Sequence, residues 1–224
     1  MDYSMKKTLS ILLALILLLS AFTLTSCASP RATDTVYIVI KDHGIITAEL
    51  YGNAAPITVD NFISLAESGF YDNLTFHRVI ENFMIQGGDP KGNGTGGSGK
   101  NITGEFAKNG IDTGIAHVRG TLSMARSGSP LEQYASVPDA YLPYLEQAYN
   151  SASSQFFIVH KTSDNNSLSL DGKYAAFGQV ISGMDIVDKI ATAQTDTNDK
   201  PLETVTILTI TLDRAKAEAA LASS

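Results

Sequence analysis

Eight short apolar segments, several alternating apolar with polar or smaller residues, recur along most of the chain with glycine-bearing turns between them. This period of two constrains the fold more than any other feature of the sequence. In residues 36–41, Val36, Ile38 and Ile40 alternate with Tyr37, Val39 and Lys41. After a turn at Asp42, His43 and Gly44, a second run covers 45–50, which marks a hairpin. Further strand candidates are 74–80, 84–86, 120–125, 155–160, 175–181 and 205–212. Strands of this number and length suggest an all-β sandwich or a closed barrel. Two segments switch to helical spacing. Thr58 can cap a helix with Val59, Phe62, Ile63 and Ala66 on one face, stopping near Gly69, and Met184, Val187, Ile190 and Ala191 share a face over 184–191. The Ala-rich end, 213–224, reads as a frayed helix or tail.

The N-terminus has a different design. Lys6 and Lys7 precede an apolar run over 9–24, too short for the roughly 20 residues that span a bilayer, and small residues follow. That is the order of a secretory signal. Leu24, Thr25, Ser26 and Cys27 resemble the lipobox of bacterial lipoproteins. The resemblance implies cleavage before Cys27 and a diacylglycerol on its sulfur. Residues 1–26 would then be a signal peptide, 27–35 a lipidated tether, 36–212 the folded domain and 213–224 a tail. The expected location is the outer face of the cytoplasmic membrane, or the periplasm or outer membrane. Because Cys27 is the chain's single cysteine, no disulfide can form within one chain. With 16 basic against 23 acidic residues the net charge is −7, which repels phosphate backbones and argues against nucleic-acid binding.

Four blocks carry the chemistry. Residues 76–89 read FHRVIENFMIQGGD, 120–126 GTLSMAR, 154–159 SQFFIV and 170–178 LDGKYAAFG. Together, and in this order, they resemble the cyclophilin-type peptidyl-prolyl isomerases, and the resemblance covers nearly all of the chain after Cys27. It implies a closed eight-stranded antiparallel barrel capped by two helices. It also implies catalysis of rotation about X–Pro bonds in exported proteins, assisting their folding, without a cofactor. Arg78 would aim a donor at the prolyl nitrogen. Phe83, Met84, Phe157 and Leu170 would line an apolar cup for the proline ring, with Tyr174 beside it. Gln86, Ala125, Arg126 and Gln155 would hold the substrate backbone. Arg78, Phe83 and Gln86 stand as the catalytic set. Arginine suits the donor role because it stays charged and holds its N–H groups in a fixed fork. The chain departs from the best-known eukaryotic pattern at Ser169, where tryptophan is usual, at Tyr174, where histidine is, and at Arg126, where asparagine is. These departures bear on cyclosporin-type inhibition and substrate preference more than on activity. A non-catalytic proline-peptide-binding chaperone module on the same fold is the alternative, since fold does not guarantee activity.

Other chemistries fit less well. Residues 94–101, GTGGSGKN, fall one residue short of a P-loop and put Asn101 where a magnesium-binding hydroxyl belongs, so no nucleotide is expected. His43, His77, His117 and His160 are scattered without metal-ligand spacing, and no metal is expected. No GxSxG occurs, so a hydrolase has no visible nucleophile. The expected partners are proline-containing segments of exported polypeptides and a membrane reached through Cys27, with the protein itself a monomer. Residues 127–153 form an insert between two site blocks and hold four of the nine tyrosines. Tyr141, Leu145, Ala148 and Tyr149 share helical spacing there, with Pro143 tolerable in a first turn. The insert reads either as surface packing or as an overhang at the rim of the site. The lipobox reading has a direct check. Cys27→Ala should release the protein from membranes or block its processing, and mass spectrometry finding a mature Cys27 without lipid would reject it.

Overall fold

The computed structural model describes residues 30–134, 136–162 and 170–224. The signal segment, Cys27 and Ser169 lie outside them. Eight strands follow in chain order: β1 (Asp34–Ile40), β2 (Gly44–Leu50), β3 (Phe76–Ile80), β4 (Met84–Gly87), β5 (Thr121–Met124), β6 (Phe156–Val159), β7 (Ala176–Ser182) and β8 (Ile207–Thr211). They form one antiparallel sheet in the order β3-β4-β6-β5-β7-β2-β1-β8. The expected hairpin is β1–β2, turning through Asp42 and Gly44, both at positive φ.

The barrel is nearly closed. Strands β3 and β8 end the ladder, and the residues flanking them meet across the gap. Asn73 N–H donates to Ile207 O at 2.8 Å, Ile207 N–H to Leu74 O at 2.8 Å and Phe76 N–H to Val205 O at 3.0 Å. The apolar runs at 74–80 and 205–212 are therefore longer than their strands because their extra residues form this seam.

Helices α1 (Pro56–Glu67) and α3 (Met184–Ala191) drive their buried faces into the barrel core, and α2 (Leu142–Tyr149) lies in the insert. Phe62 of α1 contacts the rings of Tyr71, Phe156 and Phe177 at centroid distances of 5.1–5.3 Å, and all four side chains are fully buried. The N-terminus of α1 differs from the sequence expectation. The helix starts at Pro56 after Ala55, not at Thr58. Thr58 is instead bound by Glu105, whose carboxylate accepts from Ile57 N at 3.1 Å, Thr58 N at 2.8 Å and the Thr58 hydroxyl at 2.7 Å. A carboxylate from a distant loop thus satisfies the free N–H groups of the first turn and faces the positive end of the helix dipole.

The Ala-rich end is a helix, α4 (Arg214–Ala222), rather than a loose tail. Asp213 caps it by accepting from Ala215 N and Lys216 N, and Ala217 is wholly buried where α4 packs against β1 and β8. In the insert, Pro143 sits in the first turn of α2 as its fixed φ requires, and Ala148 and Tyr149 are buried. Tyr141 precedes the helix and is half exposed.

Candidate active site

Strand pleat builds the site. On β6, Phe156 and Ile158 point into the barrel while Phe157 and Val159 point out, and on β4 Ile85 points in while Met84 points out. The outward residues Met84, Phe157 and Val159 join Leu170 in a second apolar cluster, edged by Ile80, Phe83, Ala125 and Tyr174. This is the cup. Phe83 sits on the β3–β4 turn, where Asn82 has φ +61° and His160 N–H donates to Phe83 O at 2.9 Å. Tyr174 meets the Phe157 ring edge-on at 5.9 Å.

Register places the polar residues beside the cup. Arg78 pairs with Gln86, Gln86 with Phe157, and Phe157 with Ser123, so one row of paired residues crosses β3, β4, β6 and β5 and includes both Arg78 and the cup residue Phe157. Gln86 Nε2 donates to Gln155 Oε1 at 2.9 Å, and Gln155 Nε2 donates to Gly94 O and Gly96 O at 3.0 and 2.8 Å. A cavity of about 530 Å³ opens next to this row, bounded by Gln86, Gln155, the 94–99 glycines, Ala125 and Ser127. The structure thus brings together Arg78, Phe83, Met84, Gln86, Ala125, Gln155, Phe157, Leu170 and Tyr174.

Arg126 has a different setting. Its side chain is 2% exposed and its guanidinium is used internally: Nε donates to Lys173 O at 2.8 Å, and the two terminal nitrogens donate to the Glu132 carboxylate at 3.0 and 2.7 Å. The rings of Phe106, Tyr149 and Tyr174 surround it at 4.8–5.1 Å. The Arg126 guanidinium holds Glu132 below the usual carboxylate range, against the opposing effect of burial. This arginine latches the insert to the cup wall through Glu132 and Tyr149. It can offer the cavity main chain, but not the free guanidinium that a hand on the substrate backbone would need.

Three features escaped the sequence reading. The first is Asp89, buried, whose carboxylate accepts from Lys91 N at 2.8 Å, Asn93 N at 3.0 Å and Gly94 N at 2.6 Å. Of the N–H groups in the P-loop-like stretch 94–101, that of Gly94 is already on this internal anion and those of Thr95 and Ser98 go to Asn93 Oδ1 and Ser153 Oγ, and no α-helix follows the loop. The second is a chain from Asp171 Oδ1 to His117 Nδ1 at 2.8 Å and from His117 Nε2 to Ser123 Oγ at 3.0 Å. This is the order of a nucleophilic triad, yet Ser123 has no exposed surface and cannot meet a substrate. The chain instead ties Asp171, next to Leu170, to the sheet, while His117 stacks on Phe157 at 6.1 Å. Burial holds His117 neutral by lowering its pKa despite the carboxylate beside it, and burial likewise lowers that of His77. The third is Asp199, which faces Arg78 with Nε to Oδ2 at 3.4 Å. No motif marks Asp199. The GGD at 87–89 and the LDG at 170–172 did contain the other two. Among the described residues no His, Cys, Asp or Glu group is arranged to hold a metal ion.

The described residues thus form an antiparallel barrel that carries an apolar cup, a flanking row of amides and one arginine on one face. Comparison with known proteins agrees with that description. Residues 35–212 match the family described as cyclophilin type peptidyl-prolyl cis-trans isomerase/CLD. The isomerase cypE of Dictyostelium discoideum is 43% identical over 171 residues, covering 75% of this chain and 91% of that protein. A peptidyl-prolyl cis-trans isomerase of Acinetobacter baylyi is 41% identical over 173 residues, covering 75% and 79%. The crystal structure of a cyclophilin-type isomerase of Cryptosporidium parvum, obtained in the presence of the dipeptide Ala-Pro, is 29% identical with a TM-score of 0.63, covering 80% of this chain and 99% of that one. The chain belongs to the cyclophilin-type peptidyl-prolyl cis-trans isomerase family, and it is an enzyme of that class.

Asp89 gives the site a pH dependence of known sign. Burial pushes its carboxyl up, but the backbone N–H groups of Lys91, Asn93, Gly96 and Gly94 outweigh burial and hold its pKa below the ordinary value. Its stabilisation is therefore complete above the unfolded-state pKa and is lost as pH falls through the lower folded value. Asp89→Asn should cost about 1–3 kcal/mol in denaturant unfolding at neutral pH and flatten the acid limb of the stability curve. Unchanged stability would show that the carboxylate does not hold the loop.

Proposed function

We propose that this protein isomerises X–Pro bonds in exported polypeptides and thereby assists their folding, held at the membrane by a lipid on Cys27. Arg78 acts as the catalytic donor, and the cup around Phe157 grips the proline ring. Rotation about the prolyl amide meets a barrier of about 18–20 kcal/mol and takes tens to hundreds of seconds unaided, with no bond broken. A turnover of about 10 per second needs that barrier lowered by roughly 4 kcal/mol. A dry cup that holds the ring while the rest of the peptide turns, and a donor aimed at the nitrogen whose lone pair localises at the twist, can supply this without a nucleophile or metal.

The observation that supports the reading is the register row from Arg78 through Gln86 to Phe157, in which Arg78 lies two strands from the cup residue Phe157. The cavity next to the row can accept a residue flanking the proline. Arg78→Ala removes the donor and leaves the cup, so catalytic efficiency on a proline tetrapeptide should fall about ten- to a hundredfold, with peptide affinity less changed. A folded variant with unchanged efficiency would reject Arg78 as the donor.

The insert adds a substrate preference to this reading. Its two ends contribute Ser127 and Ser151 to the cavity, and Tyr134, Tyr141 and Tyr144 stand on it more than half exposed. Such rings can extend contact to residues flanking the target proline. Replacing these three tyrosines by serine leaves the Glu132–Arg126 latch in place. It should keep activity on a tetrapeptide within about threefold, ~0.7 kcal/mol, while shifting activity on an unfolded protein client more. Equal responses, or none, would make the insert packing alone.

A further inference from the structure

Asp199 touches the site twice. Its carbonyl accepts from Val79 N at 2.8 Å, which fixes the β3 backbone one residue from Arg78, and its carboxylate faces Arg78 Nε at 3.4 Å. The turn that carries it is wound tightly. Asp196 Oδ1 accepts from Asn198 N at 2.8 Å and Lys200 N at 3.0 Å, Asp196 N–H donates to Lys200 O at 2.8 Å, and Asp199 N–H donates to Asp196 O at 3.2 Å. Within this turn Asp199 has φ +62°. Glycine would meet that backbone demand with no Cβ penalty, although aspartate is among the residues that tolerate it best. The folding requirement alone does not call for a carboxylate here.

We infer that Asp199 is a positioning residue for the isomerase reaction: it holds the Arg78 guanidinium by Nε, so that the terminal nitrogens are aimed at the prolyl bond before substrate arrives. The inference rests on Arg78 being the catalytic donor. A guanidinium has five N–H donors, and a contact at Nε uses one and leaves four for a bound peptide. Without a partner, a long side chain that is 43% exposed loses more rotational freedom on reaching the transition state. The carboxylate also offsets part of the arginine's positive field. Both partners are equally exposed, so water and salt screen that loss, and orientation is the larger effect.

The test uses the purified full chain and a proline tetrapeptide. Asp199→Asn keeps the turn shape and the tolerance of positive φ while removing the charge. It should lower kcat about two- to fivefold with KM within twofold, the scale of an exposed ion pair. Asp199→Gly suits the backbone better, so its Tm should stay level or rise while kcat falls by the same factor, a pairing that a purely structural role does not produce. In an Arg78→Ala background the Asn substitution should have no further effect. Unchanged kcat in Asp199→Asn, or Tm and kcat falling together in both variants, would overturn the inference. If Arg78→Ala is impaired while Asp199→Asn is not, the inference fails and the Arg78 reading stands. If Arg78→Ala is itself unimpaired, that reading fails first.

Discussion

The pleat of β4 and β6 deals alternate side chains to two separate apolar bodies, and the site depends on both strands keeping that alternation in step. Phe156, Ile158 and Ile85 go to the barrel interior, and Phe157, Val159 and Met84 to the cup. A slip of one residue in either strand would send the large inner rings to solvent and the cup residues into the core. The interior cluster around Phe62 therefore fixes the register, and the register fixes the distance from Arg78 to the cup floor. Core packing and the layout of the candidate site are here two faces of one constraint.

Around this frame, the loops are ordered by charges turned inward. Glu105 holds the first turn of α1, Asp89 gathers the glycine loop, and Arg126 sits among three rings with Glu132 across it. Each buried charge is matched by several hydrogen bonds, which is the condition under which burial of a charge is tolerated. The consequence at the candidate site is order in its walls. The carbonyls of Gly94 and Gly96 are aligned for Gln155, and Tyr174 is pinned between Arg126 and Phe157.

Much of this was legible in the sequence because it is local. Alternation at 36–50 gave the first hairpin, the spacing of Met184 to Ala191 gave α3, and the FHRVIENFMIQGGD block held Arg78, Phe83 and Met84 of the cup, and Gln86 in one stretch. What escaped was set by partners that no motif announces, several of them far along the chain. Thr58 looked like a cap because nothing near it announces Glu105, 47 residues away. Arg126 looked like a substrate contact because Glu132 and Tyr149 belong to an insert the family resemblance does not describe. Asp199 lies 121 residues from Arg78, in a turn whose sequence reads as ordinary surface. Pattern reports which face a residue takes, while the identity of its neighbour depends on how the chain returns.

The seam that nearly closes the barrel has one more effect. Strand β3 ends the hydrogen-bonded ladder, and an exposed strand edge invites another chain to pair with it. Here Phe76 N–H is taken by Val205 O and Val79 N–H by Asp199 O, so two N–H groups of the strand that carries Arg78 already have partners from outside the ladder. Another chain cannot pair with these two groups without displacing the partners they have. Strand pairing, the interaction that turns an open sheet edge into a template for other chains, is thereby hindered where Phe76 and Val79 would offer it.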